Sequence, residues 1–269
     1  MNHEVIFAEE RQAQILSILK RNKKVLVNDL CKTLEVSAVT VRNDLTDLES
    51  KGLLTRTHGG AILNSKTTFE EISSQKEVKN IRQKQSIAAK AIQYVEDGDT
   101  IALDTGTTTM VFAEQLVTKK GLTVITSDLK IALFLEENSD ANIILLGGMI
   151  RKGYHCGVGP IAENAIESLF VDKCFMATNG LTVQQGLSTP NLDQAEIKRL
   201  MIRHSNQIFV LCSGEKVGRN SLVSVAPAEV IHVLITDEYA DANELAKLND
   251  LNIEIDCVKT RCNEKNTLQ

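Results

Sequence analysis

A chain of 269 residues exceeds the usual size of one domain, so two domains are expected, one of them small. Hydrophobic residues supply 43% and charged residues 24%, enough core material and enough wetted surface to exclude a chain that is disordered throughout. The net charge of −5 is uneven: residues 1–63 hold nine Lys/Arg against eight Asp/Glu, and the acidic excess lies in the remainder. That asymmetry permits the first segment to approach phosphates without establishing that it does.

Apolar runs, such as those at residues 124–125 and 143–146, are far shorter than the roughly 20 residues of a membrane span. The N-terminal stretch MNHEVIFAEERQAQ carries acids and lacks the basic start, apolar core and cleavage site of a secretion signal, so a cytoplasmic location is expected. Six cysteines (Cys31, Cys156, Cys174, Cys212, Cys257, Cys262) include no CxxC pair. Reduced thiols are expected, with no disulfide framework, no metal and no cofactor.

In chain order, Ala13, Ile15, Leu16, Ile18 and Leu19 recur at a helical period and predict a first helix over residues 9–21. A short second helix follows over residues 27–34, with Asn28 as its N-cap and Leu30 and Leu34 on one face. After a turn at residues 35–36, Ser37 is placed to cap a third helix, SAVTVRNDLTDLESKG, ending at Gly52. Three such short helices bury little alone and must pack on one another. The next stretch, LLTRTHGGAIL, sets β-favouring segments on either side of His58-Gly59-Gly60 and reads as a hairpin. Residues 1–63 are thus expected to form a winged helix-turn-helix domain. Residues 64–80, NSKTTFEEISSQKEVKN, are polar, and read as a linker that becomes helical towards its end.

Residues 81–256 alternate. The helical pattern IRQKQSIAAKAIQYV precedes Asp97-Gly98-Asp99 and the strand TIALD; TVITS, NIILLGG, KCFMATNG, QIFVLC and HVLITD are further buried-strand runs. Helices are expected at 109–116, 129–136, 161–168 and 194–204. This alternation predicts a doubly wound α/β domain with its ligand site at the carboxyl ends of the strands. Residues 257–269 read as a loose polar tail.

Two groups of residues carry chemistry. On the third helix, Val41, Leu45 and Leu48 should face the first two helices, leaving Ala38, Thr40, Arg42, Asn43 and Thr46 outward. Arg pairs bidentately with guanine, Asn with adenine, and Thr with phosphate or a thymine methyl, from a helix that fits the major groove. Arg56 and His58 would then reach phosphate or minor groove as a wing does. A solvated helix face has the same composition, and spacing alone does not separate the two. In the larger domain, Asp104-Thr-Gly-Thr-Thr-Thr109 lies between a strand and a helix, where Gly106 admits close approach and Thr107, Thr108 and Thr109 offer hydroxyls and N–H groups to an anion. A bare helix cap is the plainer reading. Ser127 and Asp128 repeat the arrangement at a second strand end, and Gly147 and Gly148 mark a third.

The N-terminal segment closely resembles the DeoR family of bacterial regulators, whose pattern VS-x-x-T-[IV]-R-x-DL, LE-x-x-G, R-x-HGGA is met by Val36, Ser37, Thr40, Val41, Arg42, Asp44, Leu45, Leu48, Glu49, Gly52, Arg56 and His58 through Ala61. Asn43 stands where the family commonly has a second Arg. The family's sensor domain, similar in fold to ribose-5-phosphate isomerase and glucosamine-6-phosphate deaminase, is matched at D-x-G-T-T (from Asp104), T-[NS]-[DS] (from Thr126), L-x-GG (from Leu146), GL-[ST]-T-P with A-E-x-K (Gly186 to Lys198) and K-x-G (Lys216). The resemblance spans roughly residues 9 to 240. It implies Ser37, Thr40, Arg42, Asn43, Arg56 and His58 at DNA, and Lys216, with Lys198 or Arg151, as the cations for the ligand. Ser213 departs from the family's usual Asp.

The resemblance implies a repressor of a carbohydrate-utilisation operon, a dimer or tetramer on a repeated double-stranded operator, released by a phosphorylated sugar or sugar alcohol. The isomerase-like fold raises enzymatic turnover as a rival. That chemistry needs a general base and proton shuttle, and residues 179–191, NGLTVQQGLSTPN, contain no Asp, Glu or His, although Asp104, Asp128 and Glu196 stand at other strand ends. Binding without catalysis is the expectation; a DNA-binding architectural protein without a small ligand is the third reading.

Overall fold

A computed structural model describes residues 7–260 apart from 23, 51, 52, 64–66 and 69. The expected helix end at Gly52, part of the 64–80 segment, and Cys262 with most of the tail lie outside the described residues. The chain divides into two compact units, Met1–Phe69 and Glu70–Gln269.

The first unit runs α1 (Ala8–Asn22), β1 (Lys24–Leu26), α2 (Val27–Leu34), α3 (Ala38–Ser50), β2 (Leu54–Thr57) and β3 (Gly60–Leu63). Ile15 and Leu19, Leu30 and Leu34, and Val41, Leu45 and Leu48 converge from the three helices, and Val25, Leu54 and Ala61 close the core from the sheet. Ser37 caps α3, its Oγ accepting the Thr40 N–H at 3.1 Å. Asn28 does not cap α2. Strand β1 runs directly into the helix, so the N-cap position falls to Leu26 and Asn28 lies inside the first turn. The guanidinium of Arg11 grips the buried Asp44 with two bonds of 2.5 and 3.0 Å, tying α1 to α3. Strands β2 and β3 form the antiparallel hairpin, and β1 pairs with the other edge of β3. Gly59 sits at φ 88°, and a Cβ on Gly60 would stand 2.0 Å from the Val25 carbonyl oxygen, so both glycines serve the turn and its packing.

The second unit begins with α4 (Ser73–Glu77) and α5 (Ile81–Ala91). It continues through β4 (Thr100–Leu103), α6 (Thr107–Leu116), β5 (Thr123–Thr126), α7 (Leu129–Asn138), β6 (Asn142–Leu145), the hairpin β7 (Met149–Arg151) and β8 (Cys156–Val158), and α8 (Pro160–Ile166). Then come β9 (Val171–Ala177), β10 (Gly180–Thr182), β11 (Gly186–Thr189), α9 (Leu192–Arg203), β12 (Ser205–Cys212), β13 (Val223–Ala226), β14 (Val233–Asp237), α10 (Ala242–Asn249) and β15 (Glu254–Val258). Seven strands form one parallel sheet in the order β15-β14-β12-β9-β4-β5-β6. Successive side chains divide between its faces, as the two-residue period of a strand requires. Ile101, Leu103, Phe175, Phe209 and Leu211 join Ile87, Phe112 and Ile131 from α5, α6 and α7 in one core. Ala102, Cys174, Met176, Ile208 and Val210 join Ile166, Met201 and Leu248 from α8, α9 and α10 in the other. Both faces are covered, which is why these strands read as unbroken apolar runs.

Two segments differ from the sequence expectation. The division between units falls at residues 69 and 70, and residues 70–80 pack on the second unit through ion pairs that leave no apolar signature. Residues 257 and 258 complete β15, an edge strand parallel to β14. The small antiparallel sheet β10-β11-β13 and the helix α10 were not anticipated. The five described cysteines are free thiols; burial pushes Cys156 up to about 11 and Cys212 up to about 12, the behaviour of inert packing residues. Among the described residues no helix is long and apolar enough to cross a membrane.

Candidate functional site

Helix α3 buries Val41, Asp44, Leu45 and Leu48 and exposes Arg42, Asn43 and Thr46. Its first turn also exposes Val39, at 63% of its surface, a residue that sequence reading passed over because an apolar side chain suggests core. The Ser37 hydroxyl is engaged in the cap and lies 2.9 Å from the Thr40 hydroxyl. Arg56 is docked on α3: its guanidinium donates to Thr46 Oγ1 at 2.7 Å and its backbone N–H to Glu49 at 2.8 Å. Thr46 Oγ1 in turn donates to the Arg42 carbonyl at 2.8 Å. His58 is exposed at the tip of the hairpin.

In the second unit the sheet grows one way from β4 through β5 and β6, and the other way from β9 outward. Loops leaving the adjacent carboxyl ends of β4 and β9 therefore diverge and leave a crevice, the usual ligand position in such a sheet. The crevice is lined by Thr105, Gly106, Thr107 and Thr108 after β4, by Ala177, Thr178 and Asn179 at the end of β9, and by Glu70, Ser73, Lys76, Tyr154, Gln194, Lys198 and Lys216. Helix α6 starts at Thr107, two residues earlier than expected, and no side chain caps it. First-turn N–H groups lack acceptors within their own helix, and together with the dipole they favour an anion. Thr109 does not line the crevice; its buried hydroxyl donates to the Gly106 carbonyl at 2.9 Å. A Cβ on Gly106 would come within 3.0 Å of the Ala177 Cβ, so glycine here lets the β4 loop lie against β9.

Asp104 is fully enclosed. Its carboxylate forms an ion pair with Lys198 and accepts the Ala177 N–H at 2.9 Å, while Lys198 Nζ also donates to the Ala177 carbonyl at 2.9 Å. Burial pushes the Asp104 carboxyl up against the pull of Lys198. Asp128 caps α7, accepting from the N–H groups of Lys130 and Ile131 at 2.9 and 3.2 Å, and its other oxygen accepts from Thr105 Oγ1 at 2.6 Å. Asp128 thus braces the loop after β4 from behind, and Ser127 is buried beside it. A Cβ on Gly148 would sit 2.6 Å from the Val158 carbonyl oxygen, so that glycine closes the chain onto β8; a Cβ on Gly147 meets nothing within 4 Å. None of Ser127, Asp128, Gly147 and Gly148 lines the crevice, whereas Lys198 and Lys216 do. Ser213 is buried, its carbonyl accepting the Lys216 N–H at 2.9 Å in the turn that presents Lys216.

Sequence reading missed Glu70, Lys76, Tyr154, Asn179 and Gln194. Glu70 accepts from Lys76 at 2.9 Å, from Arg151 at 3.0 Å and from Asn179 Nδ2 at 3.4 Å, and the Tyr154 hydroxyl donates to its carbonyl at 3.0 Å. Arg151 also donates to Gln194 Oε1 at 2.6 Å and lies over the Tyr154 ring at 3.9 Å. Burial would raise the Glu70 carboxyl, but the two cations outweigh it and hold it below the usual range. Burial drives the Lys76 ammonium down despite Glu70, helped by the like charges of Lys216 and Lys198. Asn179 follows a strand end, a signal that could have found it; Glu70 and Lys76 lie in a stretch without periodicity.

Residues 11–67 match the DeoR-like helix-turn-helix domain, and residues 79–238 match the DeoR C terminal sensor domain. The HTH-type transcriptional regulator GolR of Listeria innocua is 35% identical over 93% of this chain and 98% of its own length. A lactose phosphotransferase system repressor of Staphylococcus epidermidis is 33% identical over 88% of this chain and 94% of its own. Among solved structures, ribose 5-phosphate isomerase A of Methanocaldococcus jannaschii aligns with 52% of this chain and 55% of its own at 16% identity and a TM-score of 0.39. Both units and nearly the full length are accounted for, and the chain belongs to the DeoR family of transcription regulators.

Proposed function

We propose that this protein is a cytoplasmic repressor of a carbohydrate-utilisation operon, released from its operator by a phosphorylated sugar or sugar alcohol. The observation that carries the effector reading is the crevice at the switch point, where the uncapped first turn of α6 meets Lys76, Lys198 and Lys216. A phosphate group suits that combination of free N–H donors and ammonium charge. The relative named as a lactose phosphotransferase system repressor supports a carbohydrate operon. Arg42 and Asn43 read base edges from α3, with Ser37 and Thr40 at its first turn and Arg56 and His58 on the hairpin. Two copies or more are needed, because one such small unit offers little interface. Binding rather than turnover is favoured, since Glu70 is the one carboxylate among the described residues lining the crevice and it is held by two cations.

Operator fragments selected from genomic DNA by the full-length protein supply the test. Arg42→Ala is expected to weaken operator binding roughly 10–100-fold, the loss of a bidentate base contact. Its thermal stabilisation by phosphorylated sugars should stay as in the parent. Unchanged operator affinity would remove α3 from the groove, and a sugar phosphate consumed at a measurable rate would replace sensing by catalysis.

A further inference from the structure

Residues 70–79 form a strap on the second unit that polar contacts largely hold. The residues of α4 are half-buried or exposed, with Lys76 the one whose ammonium is drawn inward against Glu70. The strap is fastened to the rest of the unit by Arg151 to Glu70 at 3.0 Å, by Lys130 to Glu77 at 2.7 Å, by the Ser73 N–H to the Gly153 carbonyl at 2.9 Å, and by Lys84, whose ammonium donates to the carbonyl of Lys76; Lys76 to Glu70 and Lys79 to Glu71 are ion pairs within it. The ionic fastenings respond to charge, since each can exchange one ionic partner for another.

Glu70 brings its carboxylate to the crevice proposed above as the anion site. It is bonded there by Lys76, Arg151 and Asn179, in the same lining as the first turn of α6. With Glu70 in place about 30 Å³ remains free, room for a water or two and none for a sugar phosphate. The carboxylate and an anionic ligand therefore exclude one another.

We propose that Glu70 is an internal stand-in for the effector's anion, and that a phosphorylated ligand displaces it from Lys76 and Arg151 and frees the leading part of the strap, residues 70–75, while Lys76 stays on the ligand. This rests on the reading of the crevice as a phosphate site and supplies its route of regulation. A phosphate monoester carries nearly two negative charges at neutral pH against one on Glu70, so it competes for the same cations. The strap follows directly on the segment leading from the DNA-binding unit. Release of residues 70–75 adds about six residues to that tether, roughly 20 Å of reach when extended. Ligand and closed strap then select opposite states, as coupling between two sites requires.

The test uses the full-length chain with inorganic phosphate as the probe, titrated by calorimetry at low salt, and hydrogen exchange of residues 70–79. Glu70→Gln keeps the shape and removes the charge; it should bind phosphate about tenfold or more tightly, because the site no longer has to open first. Phosphate should speed exchange of residues 70–75 in the parent, and in Glu70→Gln that exchange should be fast beforehand. Glu70→Ala should behave alike, which separates displacement from any effect of the amide. Equal or weaker phosphate binding by both folded variants, or protection of the strap by phosphate in the parent, overturns the displacement and leaves the crevice a phosphate site. No phosphate binding by the parent or either variant overturns the phosphate reading and the displacement together.

Discussion

Asp104 and Lys198 stand 94 residues apart in sequence and meet where β4 and β9 end, with side chains only 1% and 3% exposed. Withdrawing two charges from water costs several kcal/mol each, and their attraction offsets this only when the remaining polar atoms are also bonded. Here Ala177 completes the set, its N–H donating to Asp104 and its carbonyl accepting from Lys198. The aspartate of the D-x-G-T-T pattern therefore ties the switch point together, and the threonines after it face the crevice. Lys198→Met leaves a buried carboxylate uncompensated and is expected to destabilise the unit by about 3–5 kcal/mol. Adding Asp104→Asn removes that charge and should restore a large part of the loss. Urea unfolding of the three variants measures the coupling; single costs that simply add would show that the two residues do not act as a pair.

Helix α3 displays how far an element can be read from its period. Val41, Leu45 and Leu48 recur at helical spacing and are buried as that spacing predicts, which leaves Arg42, Asn43 and Thr46 outward. Val39 was not legible in the same way, because composition marks it apolar and only the packed helix shows it to be exposed. Nor was the docking of Arg56 on Thr46, a contact between elements that no spacing within either one encodes. An exposed valine beside Thr40, Arg42 and Asn43 suits a thymine methyl in the major groove. Val39→Ser is expected to leave thermal stability within about 0.5 kcal/mol, as for a surface position. It should cost affinity for the selected operator and lose most of that cost when one T·A pair is replaced. Equal discrimination at every position by Val39→Ser and the parent would place Val39 outside the interface.

At the scale of the whole molecule, the runs legible in sequence were mostly those buried on both faces, since a parallel strand between two helical layers has no polar side to break the run; the edge strand β6 was legible from its apolar residues although Ile144 and Leu145 are exposed. The edge strand β15, with its half-buried pattern, and the strap at residues 70–79, anchored by charge, carry no such mark. The division that matters thermodynamically is between cores: one cluster serves the first unit, and two others, on either face of the sheet, serve the second. Without shared core residues the units should unfold separately, and the small first unit has the thinner margin. Scanning calorimetry of the full chain is then expected to show two transitions. A ligand stabilises only the unit that binds it, by about 2.7 kcal/mol at a hundred times its dissociation constant. For a unit of the second one's size that shifts the midpoint by roughly 5–10 °C. A phosphorylated effector should move one transition and operator DNA the other, each alone. A single transition displaced by either ligand would mean that the two cores melt as one body, and that regulation passes through a packed interface instead of a released tether.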